Sequence, residues 1–229
     1  MNNLILWDID GTLLYSGGVA GEAMRASMER VYGSASTEAR HLYAGKTDRQ
    51  IILETFAERD HDELISTLDH FTTTYVEELA GRRDDFLARC RVLEGVVPTL
   101  EYLATAGVVQ SVLTGNLQPI ARIKLDLMDL SRFLDLDIGA YGSDHHRRTE
   151  LVPIAAARAA QRYGRIFADT DVVVIGDTPH DIDCGRAGGA RTVAVATGPF
   201  SADALRAHGA DVVLESLADT DATITAILG

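Results

Sequence analysis

The chain has 229 residues, 46% of them hydrophobic and 24% charged, enough to bury a sizeable core as one large domain or two modest ones. A formal net charge of -13 argues against nucleic acid or an anionic membrane surface as a partner. It still allows an anionic substrate, because a few cations and a bound metal can invert the field locally.

Cys90 and Cys184 stand far apart, in no metal-ligand spacing, and suit a reducing compartment better than a disulfide framework. No apolar run approaches the roughly 18 residues that a membrane helix needs. Met1-Asn2-Asn3 lacks the basic start of a signal peptide, so a cytoplasmic location is expected.

Taken in chain order, strand-length apolar runs fall at Leu4–Ile9, Val108–Leu113, Val172–Ile175, Thr192–Ala196 and Val212–Leu214. Most are continuously apolar rather than alternating, the habit of strands covered on both faces of a parallel sheet. Helical periods lie between them. Val97, Leu100, Leu103 and Ala104 share one face, with Pro98 suited to a first turn; the Ala-rich Leu151–Tyr163 reads likewise, and Asp219–Leu228 suggests a closing helix. The alternation predicts an α/β fold, a doubly wound, Rossmann-like parallel sheet.

Residues 15–91 break that rhythm. Helical patterns occur at Glu22–Val31, Asp48–Glu58 and Asp62–Leu79, with no convincing strand. The block is too long for a crossover helix. It is expected to be an inserted α-helical cap domain, leaving residues 1–14 and 92–229 as the core.

In open α/β sheets ligands bind at the carboxyl ends of strands. Polar clusters follow three of the strands directly: Asp8-Ile9-Asp10-Gly11-Thr12, Thr114-Gly115-Asn116 and Gly176-Asp177-Thr178-Pro179-His180-Asp181. Taken singly, each has a plain explanation as a turn, or in Asp177 and Asp181 as helix caps. If the strands are neighbours, four carboxylates meet in one crevice and require a cation, and all-oxygen ligation favours Mg²⁺ over zinc.

These residues resemble the motifs of the haloacid dehalogenase superfamily, particularly phosphoglycolate-phosphatase-like members with a helical cap. "DIDGTLL" is similar to the first motif, "VLTGN" to the second and "VVVIGDTPHDIDCGRAGGA" to the fourth. The resemblance implies a Mg²⁺-dependent phosphatase that hydrolyses a small phosphorylated metabolite through an aspartyl-phosphate. It implies Asp8 as nucleophile and Asp10 as general acid and then base. Asp8, the Asp10 carbonyl and Asp177 would hold the metal, with Asp181 ligating or supporting it. Thr114, helped by the backbone N–H groups of Gly115 and Asn116, would bind the phosphoryl oxygens.

The third motif departs from the family, where a lysine is common. In "GSDHHRRTELVPIAAARA" Arg148 takes that position, with Arg147 the close alternative. Either guanidinium could neutralise nucleophile and phosphate, with a fork geometry unlike a point ammonium. In Gly45-Lys46-Thr47-Asp48-Arg49, where relatives carry a specificity loop, Lys46 or Arg49 is expected to bind the substrate's distal anionic group; a solvated helix start is the plainer alternative.

Asp10 argues against a dehalogenase, whose halide leaving group needs no proton. A sugar-phosphate mutase and a phosphonoacetaldehyde hydrolase are the alternatives within the superfamily. Outside it, a response-regulator receiver domain shares the acidic strand end and Mg²⁺ but is about half this size. A catalytically silent binder conflicts with the intact acidic set. Trp7 and Cys184 read as packing residues and His145-His146 as a surface pair, while His180 could line the site. The sequence leaves the substrate and the oligomeric state open.

Overall fold

Strands β1 (Leu4–Trp7), β4 (Val109–Val112), β5 (Val172–Gly176), β6 (Arg191–Val195) and β7 (Val212–Leu214) form one sheet in the order β4-β1-β5-β6-β7. Every pairing in it is parallel. This computed structural model describes residues 3–33 and 43–229. All residues of β1, β4 and β5 are buried, which accounts for their unalternating composition. Gln110 and Ser111, the polar residues of β4, are satisfied internally. Gln110 donates to the Leu100 carbonyl and accepts from the Trp7 indole, and Ser111 donates to the Asp135 carbonyl. Trp7 is a core residue with no exposed surface.

Helices α6 (Val96–Thr105), α7 (Gln118–Leu127), α8 (Leu151–Tyr163), α9 (Pro179–Ala187), α10 (Ala202–His208) and α11 (Thr220–Leu228) connect and follow the strands. Two apolar clusters cover the sheet faces. One joins Ile5, Trp7, Val173 and Ile175 to Leu100, Leu125 and Ile227; the other joins Leu4, Leu6 and Val174 to Leu151, Ala155 and Cys184. The doubly wound Rossmann-like sheet is thus the observed architecture.

Between β1 and α6 lie α1 (Val19–Tyr32), α2 (Asp48–Thr55), α3 (His61–Ser66), α4 (Leu68–Ala80) and α5 (Arg83–Arg89). They share a separate core built on Met24, Ile52, Phe71, Tyr75 and Phe86. Leu117, the residue that precedes α7, and Ile120 within it belong to that core, whereas Ala121 and Leu125 of the helix belong to the sheet's. Helix α7 is therefore the piece of wall common to both.

Two details differ from the sequence reading. The continuous helix expected over Asp62–Leu79 is interrupted at Thr67, whose hydroxyl donates to the Glu63 and Leu64 carbonyls and so closes α3. The region expected to lack strands has one at each margin: β2 (Leu14–Tyr15) pairs antiparallel with β3 (Arg91–Val92), and Arg91 stacks its guanidinium 4.6 Å from the Tyr15 ring centroid. Two-residue strands carry too little pattern to be read. No helix among the described residues is long and apolar enough to cross a membrane.

Candidate active site

The three polar clusters converge because β1 lies between β4 and β5. Asp8 and Asp10 leave the end of β1, Thr114 follows β4, and Asp177 follows β5. The carboxylates of Asp8, Asp177 and Asp181 are buried and lie within 4.8 Å of one another, the sole cluster of potential metal ligands among the described residues. Asp10 is not in this cluster; its carboxylate turns toward α7.

Of the two arginines at the third motif, Arg148 is the one that reaches the acidic cluster. Its Nη2 donates to Asp8 Oδ1 at 2.7 Å and to Asp181 Oδ1 at 2.5 Å, and its Nη1 donates to the Gly45 carbonyl at 3.1 Å. The guanidinium is 5% exposed. Arg147 instead borders a separate surface groove with His146 and His180. One cation against three buried carboxylates leaves the cluster under-neutralised. Burial, opposed by Arg148 and reinforced by Asp181, raises the Asp8 pKa to about 6. Burial and the neighbouring Asp8 and Asp181 carboxylates push Asp177 well above the usual range.

The surroundings fit a small hard cation. Three potential ligands that offer only oxygen, with unbalanced charge, suit a hard divalent cation. The backbone also comes close: a Cβ at Gly198 would lie 1.7 Å from Asp177 Oδ2, and one at Gly11 2.4 Å from the same atom. Thr12 donates to Asp177 Oδ1 at 3.2 Å, fixing the carboxylate from the first motif. Asp181 also closes a capping box with Thr178 at the start of α9, so its helix-cap explanation holds alongside the site role.

Asp10 occupies different surroundings. Its Oδ2 accepts from Lys124 Nζ at 2.6 Å and from Asn116 Nδ2 at 3.1 Å, while Lys124 also donates to Asn116 Oδ1 at 2.7 Å. Burial pushes the Asp10 carboxyl up, but the Lys124 charge and these hydrogen bonds prevail and hold it below the ordinary range. Lys124 is absent from the sequence-based expectations. The signal was there: a lysine at the 3–4 spacing that buries Ile120, Ala121 and Leu125, hence on an apolar face.

The second motif is modified in detail. Thr114 is buried, and the Asn116 backbone N–H, expected to help bind phosphate, donates to the Thr114 hydroxyl at 3.3 Å. The Asn116 side chain is the part that reaches the site.

Residues 45–49 lie against the core. Asp48 N–H donates to the Gly115 carbonyl at 2.8 Å, Asp48 Oδ2 accepts from Leu117 N–H at 2.8 Å, and the Thr47 hydroxyl donates to the His146 carbonyl at 2.6 Å. Gly115 permits this approach, since a Cβ there would stand 2.1 Å from the Lys46 carbonyl oxygen. Burial raises the Asp48 pKa to about 6 in spite of the Leu117 hydrogen bond and Lys124. Lys46 borders the catalytic cavity and pairs with Glu54 at 2.5 Å. Arg49 does not border it; it donates to the Ser143 carbonyl at 3.3 Å. His180 is absent from the wall as well and packs near Gly45.

The open cavity between the strand ends and the helical layer measures about 210 Å³. Asp8, Asp10, Thr114, Lys124 and Arg148 form its polar floor, and Met24, Ile51 and Tyr75 are among its opposite walls. A parallel sheet with this acidic strand-end crevice beneath a helical layer defines a protein of the Rossmann-like α/β class. Comparison with known proteins gives the family: the profile of the haloacid dehalogenase-like hydrolases matches residues 5–195, and the chain belongs to that family.

Pyrophosphatase PpaX of Oceanobacillus iheyensis is 24% identical over 215 residues, covering 94% of this chain and 93% of the relative. Pyrophosphatase PpaX of Bacillus pumilus is 25% identical, covering 98% and 97%. Among solved structures, a hydrolase from Pseudomonas syringae superposes with a TM-score of 0.72 at 19% identity, covering 99% of each chain. That last likeness is one of fold.

Proposed function

We propose that this hydrolase is a Mg²⁺-dependent phosphatase acting on a small phosphorylated metabolite through an aspartyl-phosphate. The observation that carries this reading is the division of the two carboxylates that follow β1 between two cations, Asp8 with Arg148 and Asp10 with Lys124, on the floor of one small cavity. Two like groups two residues apart are thereby given different partners. Pyrophosphatase relatives and the family's hydrolytic chemistry support a phosphoryl substrate.

Asp8, held by Arg148 through Oδ1, attacks phosphorus. Thr114 donates to a phosphoryl oxygen, and Arg148 offsets the charge gathered on the nucleophile and the transferring group. Asp10 protonates the departing ester oxygen and then takes a proton from the water that cleaves the intermediate. Asp8, Asp177 and Asp181 would hold Mg²⁺, with the Asp10 backbone carbonyl completing the set; the ion supplies charge neutralisation and orients the phosphoryl group.

The helical layer, residues 15–91, serves as a cap that excludes bulk water. Lys46 binds the distal anionic group of the substrate, and Arg49 fastens its loop to the core. The cavity size favours a compact ester or pyrophosphate over a nucleotide. The location is cytoplasmic in this reading.

Phosphate release is measured from phosphoglycolate, sugar phosphates, pyrophosphate, nucleotides and an aryl phosphate, with Mg²⁺ or EDTA, beside Asp8→Asn. Metal-dependent release that disappears in Asp8→Asn supports the reading. Release that persists in Asp8→Asn, or none from any ester, overturns it.

A further inference from the structure

Asp48, the first residue of α2, borders the catalytic cavity from the helical layer, as Met24, Ile51 and Tyr75 do. The residue is 5% exposed, and its Oδ2 is taken by the Leu117 N–H. Oδ1 has no donor among the described residues, yet it is not one of the unpartnered atoms sealed from solvent. The nearby donors are committed elsewhere. Lys124 Nζ is bonded to Asp10 and Asn116, the Tyr75 hydroxyl donates to the Ala20 carbonyl, and Lys46 pairs with Glu54.

A carboxylate this deeply buried, with one hydrogen bond and no cation bonded to it, is costly until a donor is supplied. The open side of Asp48 is the cavity, so the missing donor belongs to what the cavity binds. We propose that Asp48 is a specificity residue whose Oδ1 accepts a hydrogen bond from a hydroxyl or ammonium group on the leaving alcohol, so that the substrates are phosphate monoesters carrying such a donor. The inference rests on the phosphatase reading and narrows it. Lys46 borders the same cavity, so this wall offers one cation for an anionic group and one acceptor for a donor. The second phosphoryl group of pyrophosphate brings acceptors alone and meets Asp48 with like charge.

Three esters on one skeleton isolate the donor. 3-Phosphonooxypropanoate, 3-phosphoglycerate and O-phosphoserine carry hydrogen, hydroxyl and ammonium on C2, and pyrophosphate is run beside them. Phosphate release with Mg²⁺ is measured for wild type and Asp48→Asn at pH 7.5, above the Asp48 pKa of about 6, where the group is an acceptor. Wild type is expected to favour the hydroxyl or the ammonium ester over the hydrogen one by about 10-fold or more in kcat/KM, the scale of a hydrogen bond to a charged group. The leading ester identifies the donor. Asp48→Asn keeps an oxygen for Leu117 N–H and turns an amide donor toward the cavity. It is expected to erase most of the preference, with the largest loss on the ammonium ester, and to improve pyrophosphate relative to the other three.

A wild type without the preference would overturn the proposal, whether or not Asp48→Asn folds. So would an Asp48→Asn that keeps the preference, or one that loses equally on all four substrates, as a purely structural hold on Leu117 requires. Release from none of the three esters, beside Asp8-dependent release from another, also overturns it and leaves the phosphatase intact. Release from no ester at all removes both readings.

Discussion

Arg148 Nη2 is bonded to Asp8 at 2.7 Å and to Asp181 at 2.5 Å, so one buried guanidinium joins the end of β1 to the first turn of α9. Arg148 Nη1 is bonded to the Gly45 carbonyl. A lysine, common here in the family, supplies charge from a single nitrogen; the fork of arginine reaches two directions at once.

Removing that fork strands charge. Arg148→Met is expected to destabilise the metal-free protein by about 3–5 kcal/mol in urea unfolding, because Asp8 and Asp181 are left buried without a counter-ion. Arg148→Lys is expected to recover most of the loss while weakening the hold on residue 45, seen as a raised KM with a smaller change in kcat. Equal stability of all three proteins would refute the role.

The acidic cluster predicts a stability response to metal. Mg²⁺ is expected to raise the melting temperature, by the equivalent of about 2.7 kcal/mol at 100 times its Kd. Asp177→Asn is expected to abolish most of that rise. A metal response unchanged in Asp177→Asn would place the ion elsewhere.

Asp48 gives a pH dependence with a definite sign. Its pKa is raised from 3.8 to about 6, so the folded chain holds this proton where the unfolded chain has lost it. Stability from this group is therefore full below the unfolded pKa and declines as pH rises through about 6. Asp48→Asn keeps an oxygen for Leu117 N–H and no longer ionises. It is expected to be more stable at pH 7.5, by at most about 3 kcal/mol, and to flatten the profile between pH 4 and 6. A steeper profile in the variant would contradict this.

Gly115 tests the seating of residues 45–49. A methyl group there would meet the Lys46 carbonyl oxygen at 2.1 Å and the Thr47 Cα at 3.0 Å, both backbone and unable to rotate away. Gly115→Ala is expected to lift the loop and cost about tenfold or more in kcat/KM, with little change in the sheet's stability. An unchanged kcat/KM would show that the loop need not close for turnover.

The sheet was legible in sequence because its central strands are buried on both faces and most of its strands read as plain apolar runs. The acidic cluster was legible because each member directly follows such a run. Lys124 escaped although it shares the 3–4 spacing of Ile120, Ala121 and Leu125, because its partner Asp10 lies 114 residues away and only the fold brings the two together. The unequal fates of Lys46 and Arg49 escaped for a related reason. Spacing puts both near the start of α2, while only the fold decides that one borders the cavity and the other meets the Ser143 carbonyl.

The chain leaves the sheet for the helical layer through Leu14–Tyr15 and returns through Arg91–Val92, and these dipeptides are paired with each other. Exit and re-entry are thus neighbours, tied by a clip of four residues and an Arg91–Tyr15 stack. A segment whose two ends meet can be lengthened, shortened or exchanged as a cassette without disturbing the register of a single strand beneath it.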